Sequence, residues 1–95
     1  MSPLEVLSRS EALWNRDGFD LASDEAIAQV LDRGSMKDWR ALYVLAKTDP
    51  LLRARIISLV ARVPMYLPHF WLVAMQALGE QVDLSAVAPN DGMQE

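Results

Sequence analysis

The side chains that most often carry enzymatic chemistry are scarce in this sequence. It contains no cysteine, which excludes disulfides, thiolate metal sites and cysteine nucleophiles. It contains a single histidine, His69, so a metal site built on two histidines of one chain is excluded as well. No carboxylate lies at ligand spacing from His69. We therefore expect His69 to be a packing or surface residue rather than a ligand or a general base.

The acidic residues with a recognisable spacing are explained by helix capping rather than by catalysis. Three capping patterns occur in the chain: Ser2 with Glu5, Ser35 with Asp38, and Asp49 before a proline. In each, a side chain can accept a hydrogen bond from a backbone N–H in the first helical turn. The glycines stand singly, so there is no glycine-rich phosphate loop. The sequence predicts a protein that is not an enzyme and holds no cofactor or metal.

The same caps divide the chain into five predicted helices. These run from about Pro3 to Asn15, from Asp24 to about Arg33, from Met36 to about Lys47, from Pro50 to just before Pro64, and from Pro68 to just before Gly79. Gly34 is expected to adopt the left-handed conformation that commonly ends a helix. No segment alternates with a two-residue period, which argues against strands.

These elements predict an all-α fold, a compact bundle of about five short helices with a mobile C-terminal tail. Residues 1–80 are predicted to form a single helical domain and residues 81–95 a flexible tail without helical periodicity. A chain of 95 residues with 52% hydrophobic and 23% charged content is typical of one globular domain. No apolar run is long enough to span a membrane and no signal peptide is recognised, so we expect a cytoplasmic protein.

The formal net charge of −4 hides an uneven distribution. Residues 1–32 carry seven acidic residues against two arginines, and residues 33–62 carry seven basic residues against two acidic ones. Residues 63–95 contain no lysine or arginine. Most cations of the middle segment fall on the polar faces of the third and fourth helices. They form either a solvated face paired with the acidic first third, or a patch that binds phosphate or an acidic partner.

Arg53 departs from this pattern, because helical periodicity places it within the apolar arc of the fourth helix. Two interpretations fit its position. Its long side chain extends outward from the first helical turn, or its guanidinium is buried or interfacial and requires a carboxylate partner.

The fifth predicted helix is apolar around most of its circumference, with Gln76 as its one polar interior position. Such a helix must be covered on all sides. Either the other helices enclose it, or one face packs on the domain and the other meets another chain. Tyr66, Trp71 and Met75 are of residue types that are enriched in protein interfaces, which favours the second arrangement.

The second and third predicted helices are joined by a Gly-Ser pair, as in a helix-turn-helix. In this interpretation residues 36–47 form the recognition helix, and Lys37, Arg40 and Lys47 contact nucleic acid. Two aromatic residues of the same helix, however, have the spacing of core residues, and the chain as a whole is acidic.

Three short sequence motifs carry a resemblance to known proteins. They are Asp-Trp-Arg-x-Leu within Gly34–Tyr43, the stretch Asp49–Arg53, and Pro-His-x-Trp at Pro68–Trp71. Over about residues 24–80 the chain resembles a group of small bacterial proteins. These proteins are encoded in toxin–antitoxin operons together with a nucleotidyltransferase-like toxin. The resemblance implies an antitoxin that blocks its toxin by direct contact. It carries over no individual functional residue.

The leading hypothesis is therefore a non-enzymatic protein-interaction module, in which an apolar patch of the fifth helix, surrounded by cations, docks on a partner protein. The predicted partner-binding residues are Arg40, Arg53, Arg55, Arg62, Tyr66, Trp71 and Met75. Two alternatives stay open. One is a nucleic-acid-binding regulator that uses Lys37, Arg40 and Lys47, and the other is a homodimer in which the fifth helix pairs with its symmetry mate.

Overall fold

Five α-helices make up most of the described chain. The computed structural model describes residues 2–10 and 22–88, and its helices are α1 (Pro3–Ser8), α2 (Asp24–Arg33), α3 (Met36–Lys47), α4 (Pro50–Arg62) and α5 (Pro68–Ala77). Neither described range contains a strand. The predicted all-α fold is confirmed, and the bounds of α2–α5 agree with the prediction to within a residue or two.

The N-termini of α1–α4 are held by side-chain caps. The capping residues are Ser2, Ser23, Ser35 and Asp49. Glu5 and Asp38 complete capping boxes at α1 and α3, because each carboxylate accepts a hydrogen bond from the backbone N–H of the capping serine. Local sequence therefore determines where these four helices begin.

α1 is shorter than predicted, because Arg9 forms a turn in which its N–H donates to the Val6 carbonyl. The remainder of the predicted helix, residues 11–15, lies outside the described residues. Beyond the turn, the Ser10 hydroxyl donates to Asp38 Oδ2 at 2.6 Å. Asp38 is only 3% exposed, so this bond and the capping box together fix the start of α3 against α1.

The prediction for Gly34 is wrong, because its backbone is extended, with φ −66° and ψ 150°, rather than left-handed. Glycine is needed here for space. An added Cβ would lie 2.6 Å from the Val30 carbonyl oxygen and 2.9 Å from Trp39 Cδ1. The tight connection between α2 and α3 thus requires a residue without a Cβ atom, and it does not require an unusual backbone conformation.

Of the two glycines in the described ranges, Gly79 is the one with the left-handed conformation, with φ 102°. Its N–H donates to the Gln76 carbonyl, and the N–H of Glu80 donates to the Met75 carbonyl. These two bonds form a Schellman motif, which ends α5 before Gly79 as predicted.

The core is formed by the inward faces of all five helices. Its largest fully buried side chains are Leu7, Ile27, Leu31, Leu42, Leu52, Ile56, Trp71, Leu72 and Met75. The Cα radius of gyration is 12.8 Å, close to the roughly 12 Å expected for a compact domain of this length.

Residues 81–88, the first part of the predicted tail, form no helix and lie against the bundle. The Ala88 N–H donates to the Val60 carbonyl at 2.9 Å, and Val82 packs against the core. The flexible tail beginning at residue 81 stays a prediction, and residues 89–95 lie outside the described ranges.

We expect Gly34→Ala to lower the free energy of unfolding by about 1–3 kcal/mol, because the added methyl group overpacks the connection between α2 and α3. Urea denaturation followed by circular dichroism measures the loss. Gly79→Ala is the matched control, since its Cβ would meet nothing within 4 Å and only backbone strain of about 1–2 kcal/mol would result.

Asparagine separates the two mechanisms, because it tolerates the left-handed conformation and is larger than alanine. Gly79→Asn should recover part of the stability that Gly79→Ala loses, whereas Gly34→Asn should be no better than Gly34→Ala. Wild-type stability of Gly34→Ala would contradict the close approach of Trp39.

Candidate functional site

Trp39 joins α2, α3 and α5. Its indole N–H donates to the Val30 carbonyl, near the end of α2, at 2.7 Å. Its ring stacks on Phe70, with centroids 5.1 Å apart, and meets the edge of Trp71 at 5.4 Å. These are favourable aromatic geometries, and they hold α5 beside the α2–α3 pair.

An open groove of about 310 Å³ lies between α3 and α5, with Trp39 at its floor. Its lining residues are Met36, Trp39, Arg40, Tyr43, Phe70, Val73, Ala74 and Ala77. Met36 is 64% exposed, Val73 52% and Phe70 45%. Apolar side chains gathered in a concave surface are typical of a binding site.

The cations beside this groove have no acidic partner among the described residues. Lys37, Arg40 and Lys47 lie on the exposed face of α3, and none makes an ion pair within residues 2–10 and 22–88. Lys37 lies in the first turn of α3, where the helix dipole disfavours a positive charge. The predicted cationic face of α3 is therefore present, and Arg40 places it at the groove.

The arginines of α4 are used within the bundle instead. Arg55 donates to Asp24 Oδ1 through Nε at 3.0 Å and through Nη2 at 2.7 Å. Arg62 Nη2 lies 3.8 Å from the other oxygen of Asp24. Neither arginine lines the groove. The prediction that they surround an apolar patch on α5 is wrong, because both arginines lie at Asp24 of α2 instead.

Arg53 is an internal residue rather than a partner contact. Its Nε donates to Glu80 Oε2 at 2.6 Å, and its Nη1 donates to the carbonyls of Ala46 and Lys47 at 2.9 and 3.2 Å. The side chain is 15% exposed. Of the two interpretations of Arg53, the one that requires a carboxylate partner is confirmed, and that carboxylate, Glu80, belongs to the same chain. The guanidinium caps the last carbonyls of α3 and ties them to the segment after α5.

α5 packs with one face only. Trp71, Leu72 and Met75 are fully buried, whereas Phe70 and Val73 are about half exposed. The described helices therefore do not enclose α5. Contact of its exposed face with another chain stays a prediction. The prediction that Trp71 and Met75 contact a partner is wrong, because the core covers both side chains completely.

The groove residues of α5 were missed because its sequence is apolar on both faces and does not reveal which face is exposed. Tyr43 is one of the two aromatic residues of α3 with the spacing of core residues, yet it is half-buried at the groove wall. Tyr66 is 73% exposed in the link between α4 and α5 but does not line the groove. Its role in partner binding stays a prediction.

The described residues contain no cluster of metal-ligating side chains. His69 is exposed at the start of α5, and residues 2–10 and 22–88 contain no group of three histidine, aspartate or glutamate side chains that could hold a metal. None of the described helices is long and apolar enough to cross a membrane. Comparisons with protein-family models, curated proteins and solved structures found no match to this chain.

We expect Arg53→Met to lower the free energy of unfolding by roughly 1–3 kcal/mol, because it leaves the Glu80 carboxylate and two helix-end carbonyls without their donor. Urea denaturation measures the effect. A double-mutant cycle with Glu80→Gln should give a coupling energy of about 0.5–2 kcal/mol. Arg62→Met is the control, since an exposed arginine 3.8 Å from its partner should contribute less than about 0.5 kcal/mol. Equal effects at both positions would contradict the role assigned to Arg53.

Proposed function

We propose that this chain is a non-enzymatic protein-interaction module that binds a partner protein through the groove between α3 and α5. The observation that carries the proposal is the exposure of Met36, Phe70 and Val73 around one concave surface, with Arg40 beside them. Covering apolar surface of this kind contributes about 25 cal/mol per Å² removed from water. Aromatic residues and arginine are also the types that dominate binding energy in protein interfaces.

Within this function, we propose the role of an antitoxin that acts in the cytoplasm by occlusion. The resemblance to proteins of toxin–antitoxin operons supports this role, and it spans about residues 24–80, which include both walls of the groove. To block a toxin by direct contact, an antitoxin needs a docking surface and no catalytic group. The exposed apolar groove between α3 and α5 offers such a docking surface. The absence of cysteine fits a reducing compartment.

Co-expression with the product of the adjacent gene, followed by size-exclusion chromatography with light scattering, tests the proposal. The wild-type chain should elute as a complex with that protein. Val73→Asp should weaken the complex by at least tenfold, because it places a charge on the apolar wall. Leu51→Asp is the matched control: Leu51 is 65% exposed on α4 outside the groove, so this variant should keep the complex.

A complex that survives Val73→Asp would overturn the groove as the binding surface. A dimer of this chain alone that Val73→Asp dissociates would assign the groove to self-association and overturn the hetero-partner function. Thermal denaturation of both aspartate variants shows whether each is folded under the conditions of the assay.

A second candidate function is nucleic-acid binding by α3, which the three exposed cations Lys37, Arg40 and Lys47 favour. If this function holds, fluorescence anisotropy with DNA from the chain's own promoter should show strongly salt-dependent affinity. Three phosphate contacts predict a slope of about −2.7 in a plot of log K against log salt. Lys37→Glu with Arg40→Glu should abolish binding, while Arg62→Glu should change it little. A flat titration at low salt would exclude this function.

A further inference from the structure

We infer that the occupant of the α3–α5 groove is an amphipathic α-helix of the partner protein, with acidic side chains along one edge of its apolar face. This inference rests on the proposed function and specifies the chemistry of the partner. Three features of the groove support it: the spacing of side chains along each wall, the lack of backbone hydrogen-bonding partners in its lining, and the placement of the nearby cations.

Two rows of side chains at helical spacing line the groove: Met36, Arg40 and Tyr43 on α3, and Phe70, Val73 and Ala77 on α5. Each row extends over two helical turns, about 10 Å at a rise of 1.5 Å per residue. A third helix lying between such rows presents side chains at i, i+3 or i+4, and i+7, which is the pattern of helix-in-groove recognition. The small side chain of Ala77 leaves space for a large apolar residue of the incoming helix.

The lining offers almost nothing to the backbone of an incoming segment. Its side chains are apolar apart from Arg40 and the Tyr43 hydroxyl, and the carbonyls of α3 and α5 are engaged in their own helices. An extended peptide would leave its N–H and C=O groups unpaired against this surface, which is unfavourable. A helix satisfies those groups internally, so it is the backbone form that this groove accepts.

The cations near the groove lie on one side of it: Arg40 lines the groove, and Lys37 and Lys47 are exposed on the same helix. Lys37, Arg40 and Lys47 lie on α3, whereas residues 63–95, which include all of α5, contain no lysine or arginine. Lys37 and Arg40 are one turn apart, so carboxylates at a spacing of three or four residues on the partner helix can meet them together. Acidic residues are therefore expected on the edge that faces α3 and neutral residues on the edge that faces α5. A nucleic acid would satisfy the cations but leave the apolar walls exposed.

Three synthetic peptides of about 16 residues, or roughly four helical turns, test the inference against the full chain by fluorescence anisotropy. The acidic peptide carries leucine at i, i+3 and i+7 and glutamate along one edge, and the basic peptide has lysine in place of each glutamate. The third peptide keeps the acidic composition but contains two central prolines, which prevent helix formation.

The acidic peptide should bind at least tenfold more tightly than the basic one, and the proline peptide should not bind. The double variant Lys37→Glu with Arg40→Glu should reverse the preference between the two helical peptides. Val73→Asp should abolish binding of both, and Leu51→Asp should change neither. Equal affinity for the acidic and basic peptides, or undiminished binding of the proline peptide, would overturn the inference.

The experiments distinguish a failure of the partner-binding function from a failure of the helical occupant. If Val73→Asp disrupts the co-expressed complex but no helical peptide binds, the partner-binding function stands and the helical occupant is wrong. If Val73→Asp leaves the co-expressed complex intact, the groove is not the partner-binding surface, whatever the peptides show.

Discussion

The packing of the Trp39 indole is the contact on which the rest of this structure depends. One side chain donates a hydrogen bond to the end of α2, stacks on Phe70 and meets the edge of Trp71. Each aromatic pair contributes about 0.5–1.5 kcal/mol beyond the burial of its surface, and a hydrogen bond contributes about 1 kcal/mol. Gly34 is a consequence of this arrangement, since the indole occupies the space that a Cβ would need. Because the same ring forms the floor of the groove, the fold and the candidate site share one residue.

Five of the seven basic residues in residues 33–62 divide into two groups with different surroundings. Arg53, Arg55 and Arg62 lie near carboxylates of the same chain, where they hold helix ends and neighbouring helices together. Lys37 and Arg40 meet no acidic side chain within the described ranges, and they lie on the helix that forms one wall of the groove. The internal pairs neutralise the cations of α4, so the positive charge offered to a partner is concentrated on α3. The proposed acidic partner helix would meet this α3 face, although the net charge of the whole chain is −4.

The sequence predicted those parts of the fold that are decided within a few neighbouring residues. Side-chain caps such as Ser35 with Asp38 act over three residues, so the starts of the helices were predicted correctly. The end of α1, the conformation of Gly34 and the exposed face of α5 were not, because each depends on groups distant in sequence. Ser10 reaches an aspartate 28 residues away, and Gly34 accommodates an indole of the next helix.

The candidate site was predictable only in its general character. The charge pattern indicated a cationic face on α3. The composition of α5 left two arrangements open, a fully enclosed helix and a helix with one uncovered apolar face. Which side chains form that surface is decided by the rotation of α5 about its axis, and the aromatic contacts of Phe70 and Trp71 determine that rotation. The sequence Phe-Trp-Leu-Val at residues 70–73 is apolar on every side of the helix, so it does not show which face of α5 is buried. Trp71, predicted from its residue type to contact a partner, is therefore buried, and the neighbouring Phe70 is exposed instead.

A titration of the full chain with the acidic helical peptide, followed by NMR, tests the dual role of Trp39 most directly. The Trp39 indole N–H and the Val73 methyl resonances should shift together along one saturation curve. The methyl resonances of Leu51, which is exposed on α4, should stay in place. Binding of the peptide without a shift at Trp39 and Val73, or with an equal shift at Leu51, would contradict the account of this groove as the binding surface.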